Sequence, residues 1–222
     1  MIEAVIFDMD GVLIDSVPST YRVKSKVLKE DYGIDITLVP DPHGEAHKGG
    51  SLITIIAAVK KYNGVEIDES TFIPKVVAGI YQDLQDRGVK ADPNLVKFLE
   101  ELKAHGVAIA VATSATREST ENKLRILGIK DFFRVIITTD DITEHKPHPE
   151  SYIVAMERLH VLPAKSFVFE DSVQGVEAGR GAGAKVIGVT NYNSDKTSLH
   201  GTALNIDNWT QMNYQKLLSL LV

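Results

Sequence analysis

The residues of this 222-residue chain whose types and spacing suit chemistry fall in short polar clusters that follow apolar runs. They are Asp8-Met9-Asp10-Gly11, Thr113-Ser114, Thr138-Thr139-Asp140-Asp141 and Glu170-Asp171-Ser172, together with the basic Lys146-Pro147. Each alone has a simpler reading. Asp and Gly are common turn formers, Ser114 can merely precede a helix whose first turn runs from Thr116, and Lys146-Pro147 can be a surface loop. A calcium loop is excluded, because it needs Asp or Asn at its fifth position and Gly at its sixth, where this chain has Val12 and Leu13. On one rim, however, Asp8, Asp10, Glu170 and Asp171 would repel one another, by about 4 kcal/mol for a pair ~4 Å apart at an effective dielectric of 20. Such a set calls for a cation. All-oxygen donors without cysteine suit Mg²⁺, which keeps several waters and takes a few carboxylates plus a substrate phosphate. Amides around Ser114 and Ala115, at a helix amino terminus, suit the remaining phosphate oxygens.

The elements that must position these groups can be read from hydrophobic patterning. Residues 4–7, 107–112, 135–137, 167–169 and 186–189 are short, continuous runs rich in Val, Ile and Phe, as parallel strands covered on both faces should be. Between them lie helical stripes: Leu95, Phe98, Leu99 and Leu102; Leu124 and Leu127; Ile153, Met156 and Leu159. Alternating strand and helix predict an α/β fold with a doubly wound parallel sheet, in which ligands bind beyond the carboxyl ends of the strands. The polar clusters sit at those ends. Residues 16–88 break the alternation with helical patterns at 21–31, 52–61 and 73–85, a breaker-rich loop from Val39 to Gly44 and no convincing core strand. The expected organisation is therefore a core of residues 1–15 and 89–222 with a small α-helical domain, 16–88, inserted through linkers near 15–18 and 88–93.

Composition narrows the partners. With 24 Lys and Arg against 30 Asp and Glu, the net charge is −6, so the electrostatic footprint of a nucleic-acid or polybasic membrane binder is missing. The absence of cysteine removes disulfides, thiolate zinc sites and cysteine nucleophiles. The first residues lack a basic region and a long apolar core, and no eighteen apolar residues run together, which predicts a cytoplasmic protein. A monomer acting on a small phosphorylated metabolite is expected, with no membrane or nucleic-acid partner.

In order and strand context, Asp8-Met9-Asp10-Gly11-Val12, Thr113-Ser114, Lys146-Pro147 and Glu170-Asp171-Ser172 resemble the four signature motifs of the haloacid dehalogenase superfamily. The resemblance runs from residue 3 to about 192. A helical cap inserted directly after the first motif is similar to the subgroup that holds β-phosphoglucomutase and small sugar-phosphate phosphatases. It implies a Rossmannoid core, with Asp8 as the nucleophile that carries an aspartyl-phosphate and Asp10 as general acid and base. Mg²⁺ would be held by Asp8, the carbonyl of Asp10 and Asp171, with Glu170 in or beside that shell. Lys146 would neutralise nucleophile and phosphoryl group, and Thr113, Ser114 and Ala115 would bind substrate.

The chain departs from the family pattern in two places. His145 and Glu150 stand where Gly and Asp are usual around the Lys-Pro pair. Lys48-Gly49-Gly50-Ser51 resembles the mutase specificity loop, with Lys48 a candidate contact to the leaving group. Leu52 replaces the Arg that follows there, and Thr20, or its neighbour Tyr21, stands near where the mutase has a His. Losing both favours a phosphatase over a mutase. A receiver domain needs only about half this length. Gly179-Arg180-Gly181-Ala182-Gly183 lies at the far end of a helix and suits small-residue packing better than dinucleotide binding, and His43 with His47 lacks a third zinc ligand.

Overall fold

The computed structural model describes residues 1–40, 52–192 and 199–221, which divide into two compact units. One comprises Met1–Asp15 with Lys90–Val222, and the other Ser16–Val89.

The larger unit is built on a six-stranded, all-parallel sheet. Its strands are β1 (Ala4–Phe7), β2 (Ala108–Ala112), β3 (Val135–Ile137), β4 (Ser166–Glu170), β5 (Lys185–Val189) and β6 (Leu204–Ile206), in the order β3-β2-β1-β4-β5-β6. The switch of direction around β1 makes the carboxyl ends of β1, β2 and β4 neighbours, with Phe7 paired to Val111 and Phe169. Five of these strands match the apolar runs to within two residues at either end; β6 has no such run. One face carries Ile6, Ala110, Ile137, Val168 and Val186 against Tyr152, Ala155, Met156 and Val176. On the other, the stacked rings of Phe7 and Phe169, with centroids 4.9 Å apart, meet Phe98 and Trp209.

The smaller unit contains α1 (Val17–Tyr32), α2 (Leu52–Asn63) and α3 (Glu69–Asp86). Pro18 opens α1 and Gly33, at φ 68°, closes it. Val23, Val27, Leu28, Ile55, Val59, Phe72 and Val76 form a separate apolar core, so this unit buries its own helix faces. Because α1 already begins at Val17, only Asp15 and Ser16 precede it, a shorter linker than residues 15–18.

The remaining helices belong to the larger unit: α4 (Pro93–Ala104), α5 (Arg117–Leu127), α6 (Glu150–Leu159), α7 (Val173–Gly181) and α8 (Tyr214–Ser219). A side chain at Gly179 would run into Val186 and Val168, which accounts for the glycine-rich end of α7 by packing. Among the described residues no helix is long and apolar enough to cross a membrane.

Candidate active site

Asp8 directly follows β1, Glu170 ends β4 and Asp171 follows it, so neighbouring parallel strands deliver three carboxylates to one place. One ligand oxygen from each lies within 4.8 Å of the others. The backbone there is shaped to allow this approach. Gly11 has φ +88°, and a Cβ on it would lie 1.9 Å from Asp171 Oδ2; a Cβ on Gly175 would lie 1.9 Å from the Glu170 carboxylate. Only glycine fits either position.

Lys146 ties the strands together. Its Nζ donates to Asp8 Oδ1 and Glu170 Oε1, both at 2.6 Å, and to the Ala112 carbonyl at the end of β2 at 3.1 Å. The ammonium also lies 4.7 Å from the centre of the Tyr152 ring. The Lys146-Pro147 peptide is cis. The unusual Glu150 closes this loop, accepting from the amides of Thr143 at 3.1 Å and Glu144 at 2.6 Å.

The carboxylates are unequally compensated. Glu170 accepts from Lys146, from Tyr152 Oη at 2.7 Å and from the amides of Asp171 and Ser172 at 3.0 and 3.2 Å. Burial opposes its ionisation, but these donors outweigh it and hold Glu170 below its ordinary range. Burial pushes Asp8 up to about 7, against the pull of Lys146, and the neighbouring Glu170 adds to the rise. Burial, then the charges of Asp8 and Glu170, push Asp171 up to about 8. Burial would lower Lys146, yet Asp8 and Glu170 raise it above its ordinary value, so it stays charged. Three carboxyl groups thus converge where Lys146 bonds to two of them, and this set of hard oxygen donors fits a divalent cation such as Mg²⁺.

Asp10 is placed differently. Its side chain is not among the three that converge; both its oxygens accept from Lys123 Nζ, at 2.6 and 2.7 Å. Sequence reasoning missed Lys123. The available signal was its place on the buried stripe Thr120, Lys123, Leu124 and Leu127 of α5, where an apolar residue is expected.

Thr116 caps α5, so Ser114 and Ala115 lie before the cap and outside the first turn. Ser114 is exposed, whereas the Ala115 amide is engaged by Thr113 Oγ1 at 3.1 Å. Asp140 and Asp141 follow the carboxyl end of β3, where their side chains serve caps and ion pairs. Asp140 accepts from the Arg117 amide at 2.8 Å, and Asp141 caps Thr138 while pairing with Arg117 and Arg158. Lys48, with Gly49, Gly50, Ser51, His43 and His47, lies outside the described residues.

A doubly wound parallel sheet that gathers buried acids, a lysine and a hydroxyl-bearing loop at its carboxyl edge has the layout of a phosphoryl-transfer hydrolase. The chain belongs to the haloacid dehalogenase-like hydrolases, whose family model matches residues 5–189. It is 33% identical over 202 residues to the phosphorylated carbohydrates phosphatase of Thermotoga maritima, covering 89% of each chain. To fructose-1-phosphate phosphatase YqaB of Escherichia coli it is 27% identical, over 83% of this chain and 94% of the relative. The crystal structure of β-phosphoglucomutase from Clostridium difficile superposes with a TM-score of 0.78 at 25% identity, covering 100% of this chain and 97% of that one.

Proposed function

We propose that this hydrolase is a Mg²⁺-dependent phosphatase that cleaves a small phosphomonoester, of the sugar-phosphate class, through an aspartyl-phosphate on Asp8. The observation that carries this reading is the convergence of Asp8, Glu170 and Asp171, the first two of them joined by the ammonium of Lys146. The names of the Thermotoga maritima and Escherichia coli relatives support phosphorylated sugars as the substrate class.

Lys146 grips Asp8 Oδ1, which orients the carboxylate so that Oδ2 attacks phosphorus. The leaving oxygen takes a proton from Asp10, which then accepts a proton from the water that attacks the phosphoryl group on Asp8. Lys146 remains charged throughout and offsets negative charge on the transferring group. Thr113, Ser114 and Ala115 line the phosphate side, with the Ala115 amide changing partner from Thr113 when substrate is bound. Asp8, Asp171 and the main-chain carbonyl of Asp10 would hold Mg²⁺, with Glu170 beside them. When bound, Mg²⁺ supplies the positive charge that the three carboxylates lack and screens the phosphoryl oxygens from Asp8. The inserted unit, with Lys48 in its glycine-rich loop, is assigned the choice of substrate.

A mutase shares this core chemistry and is the second reading, favoured by the likeness to β-phosphoglucomutase. Against it, Leu52, standing where the mutase has Arg, packs onto the apolar core of the inserted unit. Phosphate release measured over sugar phosphates, nucleotides and glycolytic intermediates, first with Mg²⁺ and then with EDTA, tests the proposal. Release that is fastest on a sugar phosphate and lost in EDTA is expected. Full activity in EDTA would overturn the metal site, and isomerisation of a sugar phosphate without net phosphate release would favour the mutase.

A further inference from the structure

Lys123 is a buried charge that the acidic cluster does not account for. Its side chain is 11% exposed, and its ammonium meets the two Asp10 oxygens at short range, 2.6 and 2.7 Å. Ordering a lysine costs rotamer freedom, and its place on the inward stripe of α5 adds desolvation. What the arrangement does achieve is geometric. One ammonium bridging both oxygens fixes the plane of the Asp10 carboxylate, which hangs on the short turn after β1 and whose terminal torsion is intrinsically soft.

We propose that Lys123 is a positioning residue for the second half of the reaction, holding Asp10 so that one carboxylate oxygen meets the attacking water. The proposal rests on the assignment of Asp8 as nucleophile and Asp10 as acid and base. In this step a bond forms from the water oxygen to phosphorus, the bond from phosphorus to Asp8 breaks with its electron pair returning to Asp8, and a water proton passes to Asp10. Inorganic phosphate leaves. Lys123 touches neither water nor phosphorus; it acts through Asp10, and small displacements of a base cost rate steeply. The first half, on an ester whose leaving group needs no proton, depends on Lys123 far less.

The test uses p-nitrophenyl phosphate with Mg²⁺, the full-length protein and the variants Lys123→Met, Lys123→Arg and Asp10→Asn, with thermal melts to establish folding. Lys123→Met is expected to lower kcat about tenfold or more while kcat/KM stays within about threefold. A burst of p-nitrophenolate approaching one per active site should precede the slow phase. Acid-quenched protein should carry the mass of one phosphoryl group. Lys123→Arg should return most of kcat. If Lys123→Met does not fold, Lys123→Gln is read in the same way. Unchanged rates, or an equal fall in kcat and kcat/KM without a burst, would overturn the proposal. The two assignments fail distinguishably. If Asp10→Asn accumulates phosphorylated enzyme and the Lys123 variants do not, only the role of Lys123 is lost. If Asp10→Asn accumulates none, the acid and base assignment is lost and this inference with it.

Discussion

Pairs of cation and carboxylate at nearly the same distance occur in both units of the molecule, yet the buried pairs of the larger unit differ in kind from those at the surface. In the larger unit Lys146 meets Asp8 and Glu170 at 2.6 Å with side chains only 7%, 11% and 1% exposed. In the inserted unit Arg22 meets Asp83 at 2.7 Å and Lys75 meets Asp31 at 2.6 Å, but their side chains are between 21% and 51% exposed. Distance therefore does not rank these interactions. Burial and charge count do, because water screens the second set while the first shares one cation between two acids in a low-dielectric setting. A surface pair trims energy at the margin. The buried centre is poised for a change of charge, which is what a site handling a dianionic phosphoryl group needs.

The comparison is tested most severely at Asp8. Asp8→Asn keeps the shape of the side chain but removes the attacking charge, and turnover of the best substrate is expected to fall by at least about a hundredfold while the melt stays cooperative. Retention of more than about a tenth of the wild-type rate would remove the nucleophile assignment. Lys146→Met is expected to cut turnover by about 10²–10³-fold, as loss of a charge-stabilising donor does. It should also destabilise the fold by about 3–5 kcal/mol, since Asp8 and Glu170 are left buried without their cation. A chemical-denaturation curve that matches wild type would show that the buried pairs count no more than surface ones.

The contrast between the two kinds of region was only partly visible in the sequence. Continuous apolar runs exposed β1 to β5, because parallel strands covered on both faces leave little room for polar residues. β6 was hidden: Leu204-Asn205-Ile206 is three residues long with a polar centre, and Asn205 is spent on the main chain of Leu199 and on Thr202. At the site, residue type at a strand end pointed to Asp8, Glu170 and Asp171, whereas Lys146 stood out only through the resemblance to the family motifs. The same rule did not tell the task of Asp140 and Asp141, because an acid after a strand serves a cap as readily as a ligand. Lys123 and Tyr152 lie on helices far along the chain, and a lysine or tyrosine on a helix announces nothing until packing shows what it faces.

The acidity of the buried centre sharpens the comparison further. Asp8 at about 7 and Asp171 at about 8 both lie above the ordinary aspartate value of 3.8. Between the two values the folded chain binds more protons than the unfolded one, so these groups make the metal-free protein less stable as pH rises from about 4 to about 8, with little further change above. A cation at the same oxygens competes with those protons. The rise in melting temperature produced by Mg²⁺ should therefore be small near pH 5.5 and grow through about pH 8. An equal Mg²⁺ effect at both ends of that range would mean that the cation binds elsewhere, at acids that are already ionised.

The smallest expected effect lies in the inserted unit and closes the comparison from the other side. Asp83 accepts two hydrogen bonds from Arg22, at 3.2 and 2.7 Å, a two-pronged geometry at least as good as that at Lys146. The hydrogen bond from Arg22 holds Asp83 below its ordinary range. A depressed carboxylate contributes its stability above the unfolded value near 4 and loses it as pH falls through the lower folded value. Because the Arg22 side chain is 43% exposed, solvent screens the pair. Arg22→Ala is expected to cost about 0.2–1 kcal/mol at neutral pH, less in high salt, and nothing once Asp83 is protonated in acid. Turnover of p-nitrophenyl phosphate should stay within about twofold of wild type, since Arg22 belongs to no part of the phosphoryl-transfer chemistry. Denaturation of Arg22→Ala and wild type at low and high salt measures this directly. A loss near that of Lys146→Met, insensitive to salt, would show that pairing geometry rather than burial governs these contacts, and the distinction between the two units would fall.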